Sequence, residues 1–251
     1  MTPAPETSAV ALPAALPATL LRPVRGHHAF EACVEQVATA IRLGVYPLGT
    51  TLPPERELAT QLGVSRATLR EAMAALRQAG LVQTSRGRGG GTVVILKPPT
   101  PSARAAARTT PDQRADWLDA LAFRRIIEPG AAAMVAEAGL DDMARAQLLA
   151  SHQEVAAATK PAQYRQSDSR FHLTIAALTG SHRVIESVTS VQATLHEMLL
   201  AIPQLETNIA HSDDQHAAVV HAILDGRPDR ARRAMEQHCD DTAALLRGLL
   251  T

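Results

Sequence analysis

The 251-residue chain has no apolar run of the roughly 18 residues that a membrane-crossing helix needs. Its 46% hydrophobic content reads instead as a soluble chain with room for two cores, and so for two domains. Cysteine is nearly absent: Cys33 and Cys239 are too few for a disulfide framework and read as reduced thiols, which points to the cytoplasm. Residues 1–25 do not read as a targeting peptide. No basic stretch precedes the weakly apolar Val10 to Leu16, prolines at 3, 5, 13, 17 and 23 interrupt it, and Arg22 and Arg25 follow it, so this segment reads as a disordered arm. An excess of one charge is also missing, since 25 Lys+Arg face 25 Asp+Glu. The balance is uneven along the chain, however: residues 1–97 hold ten basic against six acidic side chains, and residues 98–251 hold fifteen against nineteen. A partner that is a polyanion belongs with the first part.

That basic part contains two short helices joined by a glycine turn. Pro53 and Pro54 stop what precedes, and Glu55 and Glu57 put negative charge at a helix N-terminus. Leu58, Ala59 and Leu62 give an apolar face, Gly63 suits the left-handed residue that ends the helix, and Ser65 suits the N-cap of the next. In the second helix Leu69, Ala72, Met73 and Leu76 form the buried side, which leaves Arg66, Thr68 and Arg70 toward solvent at the end that enters a major groove. Residues 81–85 and 92–95 are β-prone and flank the turn Arg86 to Gly91, a hairpin whose arginines and glycine-rich backbone, Gly89 included, can approach phosphate or a minor groove.

From about Phe30 to Ile95, the combination LPPERELA, GVSRATLREA and GRGGGTVV resembles the GntR family of bacterial winged helix-turn-helix regulators. The resemblance implies a DNA-reading head over residues 26–96. Arg66 and Arg70 then read guanine, with Ser65 and Thr68 nearby, while Arg56, Arg86 and Arg88 engage phosphates or the minor groove.

A polar, proline- and arginine-containing stretch over 97–111 reads as a linker. Beyond it aromatics are few and Gly or Pro fall chiefly at breaks, so the pattern is helical and a sheet is not expected. Helices are expected near 112–138, 141–158, 161–179, 182–202, 205–225 and 228–250, with Pro129 and Gly130 kinking or dividing the first. The fold class is therefore mainly α: a winged helix-turn-helix of three helices and a hairpin, then an all-α antiparallel bundle over 112–251. Asp168 and His172 lie one turn apart on one helical face. His216 and His238 lie ten and twelve residues to either side of Gly226, roughly 15 and 18 Å from a turn between antiparallel helices. The four could converge on a divalent ion, Zn2+ first, with Ni2+ or Mn2+ as alternatives. Spacing alone also fits histidines that are solvated or hydrogen-bonded. His221 lies about 140° from His216 and should point elsewhere. It is treated, with His27, His28, His152, His182, His196 and His211, as surface or supporting.

The strings Asp168 to His172, His216 to Ile223 and Arg233 to His238 resemble the metal-binding FCD domain of the FadR subgroup of GntR regulators, over roughly 115–248. The resemblance implies that Asp168, His172, His216 and His238 are metal ligands. It also places Arg124 near an effector cavity, where the residues by themselves show only an i,i+4 pair with Glu128. The chain departs from the family at Gly180-Ser181-His182, where a Gly-Asn step is common. The expected function is a homodimeric transcriptional regulator of a palindromic operator, most readily a repressor, controlled by a small carboxylate at the metal. A regulator that senses the ion itself is the alternative. A zinc hydrolase is disfavoured, because no HExxH base accompanies the histidines and a DNA-reading head has no use on one.

Overall fold

The computed structural model describes residues 21, 23–24, 29–85, 91–95, 110–201 and 206–249. Most of the expected arm and of the linker, with Arg86, Arg88, Gly89, His27 and His28, lie outside the described residues. The end of the arm departs from the expected disorder, because Leu21 is buried in the core of the head and the Val24 N–H donates to the Leu62 carbonyl at 2.7 Å. The head comprises α1 (Ala29–Arg42), α2 (Glu55–Leu62), α3 (Arg66–Gln78), β1 (Val82–Ser85) and β2 (Gly91–Val94). Its local signals act as the sequence requires. Gly63 has φ +63 and closes α2, and Ser65 caps α3 by accepting from the Thr68 N–H at 3.0 Å. Leu58, Ala59, Leu62, Leu69, Ala72, Met73 and Leu76 are all buried. The hairpin is antiparallel, pairing Val82 with Val94 and Ser85 with Gly91, and β2 bridges on its other edge to Thr51. A Cβ on Gly91 would stand 2.8 Å from the Thr51 methyl, so that close approach excludes a larger residue.

Six helices follow: α4 (Pro111–Ala138), α5 (Asp142–Ala156), α6 (Pro161–Leu178), α7 (His182–Ala201), α8 (Glu206–Leu224) and α9 (Pro228–Leu249). Each end falls within two residues of the expected one. The helix α4 packs against α6, α7, α8 and α9 and forms the spine of the bundle. Of the kink or division expected at Pro129 and Gly130, the division does not occur: α4 runs unbroken through both. Proline removes the N–H that would bond the Arg125 carbonyl, but Pro129, Ala131, Ala132, Val135 and Ala136 are buried, and packing of that face outweighs the lost bond. Ser181 at the altered Gly-Asn step serves as a cap, accepting from Val184 N–H at 3.4 Å.

The expectation of two separate cores needs revision. One apolar cluster fills the head and continues without a break into Leu173 and Ala176 of α6 and Ile185 and Val188 of α7. A second surrounds Phe171 and the α8–α9 pair, and a third lies at the far end around Trp117, Met198 and Leu246. Among the described residues no helix is long and apolar enough to cross a membrane.

Candidate metal centre and nucleic-acid interface

Helix α6 brings His172 inward, α8 brings His216 and α9 brings His238. The α8–α9 turn at Gly226 brings the last two rings together, tilted by 54° with centroids 4.6 Å apart; His172 stands 5.4 Å from His216 and stacks on His238 at 5.1 Å. One nitrogen from each lies within 4.8 Å of the others, and all three residues are buried. Asp168 completes the group, its Oδ1 3.4 Å from His216 Nε2. Neither His216 nitrogen makes a hydrogen bond among the described residues, so its buried ring is uncommitted beside the Asp168 carboxyl. The ring of Phe171, fully buried, packs 4.6 Å from His216 and walls one side.

The outer partners of these rings were not anticipated from the sequence. His238 Nδ1 donates to the Gln215 Oε1 at 3.2 Å, so its Nε2 bears the lone pair, which accepts from Arg124 Nη2. His172 Nδ1 lies 2.9 Å from Glu128 Oε2, close but off the line of a full hydrogen bond, and its Nε2 lies 3.4 Å from Arg124 Nη2, which therefore bridges the His172 and His238 rings. Carboxylate and amide partners that fix imidazoles in this tautomer are what metal ligation requires. Burial, reinforced by the neighbouring imidazoles and Arg124, holds His216 and His238 well below the ordinary histidine range, hence neutral and able to ligate. Burial pushes the Asp168 carboxyl up, against the opposing pull of His172 and Arg124. The donor set, three buried imidazoles and the Asp168 carboxyl group, fits a divalent ion.

Arg124 and Glu128 are 1% and 2% exposed, which removes them from the class of surface i,i+4 pairs. Arg124 Nε donates to Glu128 Oε2 at 3.0 Å, and its Nη2 lies 3.1 Å from His238 Nε2. Glu128 also accepts from Gln192 Nε2 at 2.7 Å. Burial alone would raise its carboxyl, but the charges of Arg124 and His172 hold it at about 2. Two buried polar atoms beside this pair, Arg124 Nη1 and Gln192 Oε1, have no hydrogen-bond partner among the described residues. Cys239 approaches Glu128 at 3.8 Å, and burial raises its thiol to about 12, so it is a packing residue. His221 is exposed and His211 is paired outside with Asp241. His196 departs from the expectation: it is buried, away from the centre, between Arg165 of α6 and Arg42 of the head.

On the head, Arg56 and Arg66 are exposed and Arg70 is bound to Glu55 at 3.2 Å with its side chain 71% exposed. The Ser65 and Thr68 hydroxyls are engaged with one another at 2.8 Å, so their first duty is the cap.

A winged helix-turn-helix set on a helical bundle defines a DNA-binding regulator class of protein. Residues 31–94 match the model for bacterial regulatory proteins of the gntR family, and residues 119–241 match the FCD domain. The chain is 30% identical over 242 residues to the transcriptional repressor NanR of Klebsiella aerogenes, spanning 91% of this chain and 89% of that one. It is 35% identical over 207 residues to an Escherichia coli protein named as a regulator of the L-lactate dehydrogenase operon (76% and 75%), and 27% identical over 222 residues to the E. coli Glc operon transcriptional activator (83% and 85%). In fold it is similar to E. coli McbR/YncC (TM-score 0.53, 15% identity, 89% of this chain and 99% of that one) and to a GntR regulator of Rhodococcus (0.51, 21%, 88% and 99%). The chain belongs to the GntR family, in its FCD-bearing, FadR-like subgroup, and is a DNA-binding transcriptional regulator.

Proposed function

We propose that this regulator is a cytoplasmic homodimeric repressor whose hold on a palindromic operator is released by a small organic acid bound beside a divalent cation, Zn2+ before Ni2+ or Mn2+. The observation that carries the reading is the convergence of Asp168, His172, His216 and His238 from three helices, with His172 and His238 turned by Glu128 and Gln215. Those four side chains would hold the ion, which supplies Lewis-acid positions for carboxylate oxygens when bound. Arg124 Nη1, buried and unmatched, offers the effector's carboxylate a charge-assisted donor, and Glu128 keeps that guanidinium in place. Residues 26–96 act as the head, with Arg66 and Arg70 reading bases, Ser65 and Thr68 forming the helix start, and Arg56, Arg86, Arg88 and Gly89 meeting the backbone. Residues 112–251 act as the effector and dimerisation domain, joined through 97–111. The repressor name of NanR supports repression; the activator name of the Glc regulator makes direction something the test must read.

The test titrates full-length protein on a duplex selected from a random pool, first with Zn2+ alone and then with small carboxylates with and without a C2 hydroxyl. Wild type should bind Zn2+ and loosen from DNA only when a carboxylate joins it. His216→Ala should lose the ion and the carboxylate response yet keep ligand-free operator binding, and His221→Ala should keep both. Equal metal loss in the two variants, or none in either, overturns the ligand set, and an affinity that follows Zn2+ alone makes the ion the signal.

A further inference from the structure

The helix that carries Asp168 and His172 also holds the DNA head. On α6 the residues Gln166, Arg170 and Leu173 cluster on one side, while Asp168 and His172 lie two positions along from Gln166 and Arg170, about 200° around the axis. Leu173 belongs to the head's own apolar core. Arg170 is 8% exposed and forks between two acceptors: Nη1 donates to the Gly44 carbonyl at 3.0 Å, and Nε and Nη2 donate to Glu154 Oε2 at 3.0 and 2.7 Å. Gln166 Nε2 reaches the Ile41 and Arg42 carbonyls at 3.4 and 3.5 Å.

These carbonyls end α1. The Gly44 N–H bonds Ile41 and the Val45 N–H bonds Ala40, the pattern of a helix closed by a left-handed glycine, and Gly44 has φ +71. Such an end carries carbonyls without intrahelical partners and the negative pole of the helix dipole. In this protein a cation from the bundle, Arg170, meets that pole alongside the helix's own Arg42. The fit is specific on the head side too, because a Cβ on Gly44 would stand 2.7 Å from both Arg170 Nη1 and Gln166 Cβ.

We infer that Arg170 is the positioning residue that latches the head to the bundle, and that it carries the state of the centre on α6 to the DNA-reading helices. A displacement of α6 that accompanies filling of the centre on one face acts on the α1 terminus through the other face. The signal rests on the reading of the centre as a regulatory metal site. The latch does not.

Amide hydrogen exchange on the full-length protein tests both parts, with Zn2+ as the probe and its binding followed separately by equilibrium dialysis. Without metal, Arg170→Met/Glu154→Gln, which leaves no carboxylate stranded, should speed exchange at Val45 and Tyr46 by more than about tenfold while α9 keeps its protection. Gly44→Ala should do the same from the head side. In wild type, Zn2+ should change exchange at the α1 terminus; in the double variant it should bind with affinity unchanged within about threefold and leave that terminus unmoved. Unchanged exchange at Val45 and Tyr46 in both variants overturns the latch. A wild-type α1 indifferent to bound Zn2+, or a response that persists without Arg170, overturns the signal. Absence of Zn2+ binding in wild type fails the metal reading and the signal with it, and leaves the latch to be judged on the metal-free arm.

Discussion

Arg70 of the head and Arg124 of the bundle each pair with a glutamate, at 3.2 and 3.0 Å, yet the first pair is 71% and 39% exposed and the second 1% and 2%. In water the pair contributes little and either charge is free to turn to a phosphate or a base. In the interior neither charge can leave, since each is solvated only by the other and by its polar neighbours. The head therefore keeps its charges available for a polyanion, while the bundle fixes its charges to hold imidazoles in one orientation. The same substitution should follow opposite rules in the two regions.

The largest effect is expected at the buried pair. Arg124→Ala leaves Glu128 as an unmatched interior carboxylate and should destabilise the protein by about 3–5 kcal/mol in urea denaturation, whereas Arg70→Ala should change stability by under about 1 kcal/mol. Arg124→Met/Glu128→Gln should recover most of the loss. A double variant as unstable as the single one would mean that packing, and not charge, is what the pair supplies.

Acid separates the regions next. Burial, with Arg165 and Arg42 nearby, lowers His196 to about 4 in the fold, against about 6.5 unfolded. The folded protein thus binds this proton less readily than the unfolded chain. Its contribution to stability is complete above pH 6.5 and is lost as pH falls from 6.5 toward 4, by up to about 3 kcal/mol. His216 and His238 shift in the same direction and add to the loss. His196→Gln should flatten the slope of stability against pH in that window by about one proton.

How far the sequence reveals each region follows from the range of the forces. The head is written locally: a cap, a left-handed glycine and an apolar face act over a few residues, and Ser65, Gly63 and Leu69 each do what their neighbours in sequence demand. The convergence of His216 and His238 was legible because an antiparallel turn maps sequence distance from Gly226 onto depth. Glu128 showed only its i,i+4 relation to Arg124, since its partners Gln192 and Cys239 lie 64 and 111 residues away and no periodicity records them. The same holds for Arg170, whose Gly44 acceptor is 126 residues distant, and for the core that runs from head to bundle. Pro129 misled for a related reason: a local rule forecast a break that distant packing overrode.

On DNA the ranking of the regions reverses. Arg66→Ala should cost about 1–3 kcal/mol on the selected duplex and relax base preference at one position, with thermal stability nearly unchanged. Arg70→Ala should cost less than Arg66→Ala, because Glu55 competes for that guanidinium, and Glu55→Gln should tighten binding. Equal losses at both arginines, with no gain from Glu55→Gln, would show that the pair opens freely on the duplex. Neither result should depend on metal.

The smallest effect sharpens the comparison most, because it applies one chemical change to both regions. Ser65 caps α3 by accepting from Thr68 N–H at 3.0 Å, and Asp141 caps α5 by accepting from Ala144 N–H at 2.7 Å. Either residue changed to Ala strands a helix N-terminal donor and should lower stability by about 1 kcal/mol. The two losses should be similar in urea, since the shared core makes head and bundle unfold together. On DNA they should diverge. Ser65 begins the helix that carries Arg66 and Arg70, so fraying there spreads the arginines over several orientations, and Ser65→Ala should weaken operator binding several-fold. Asp141→Ala should leave binding unchanged at temperatures where the protein is folded. If both variants weakened DNA binding alike, the recognition helix would be responding to overall stability, and the local geometry at Ser65 would lose its claim to a role in reading DNA.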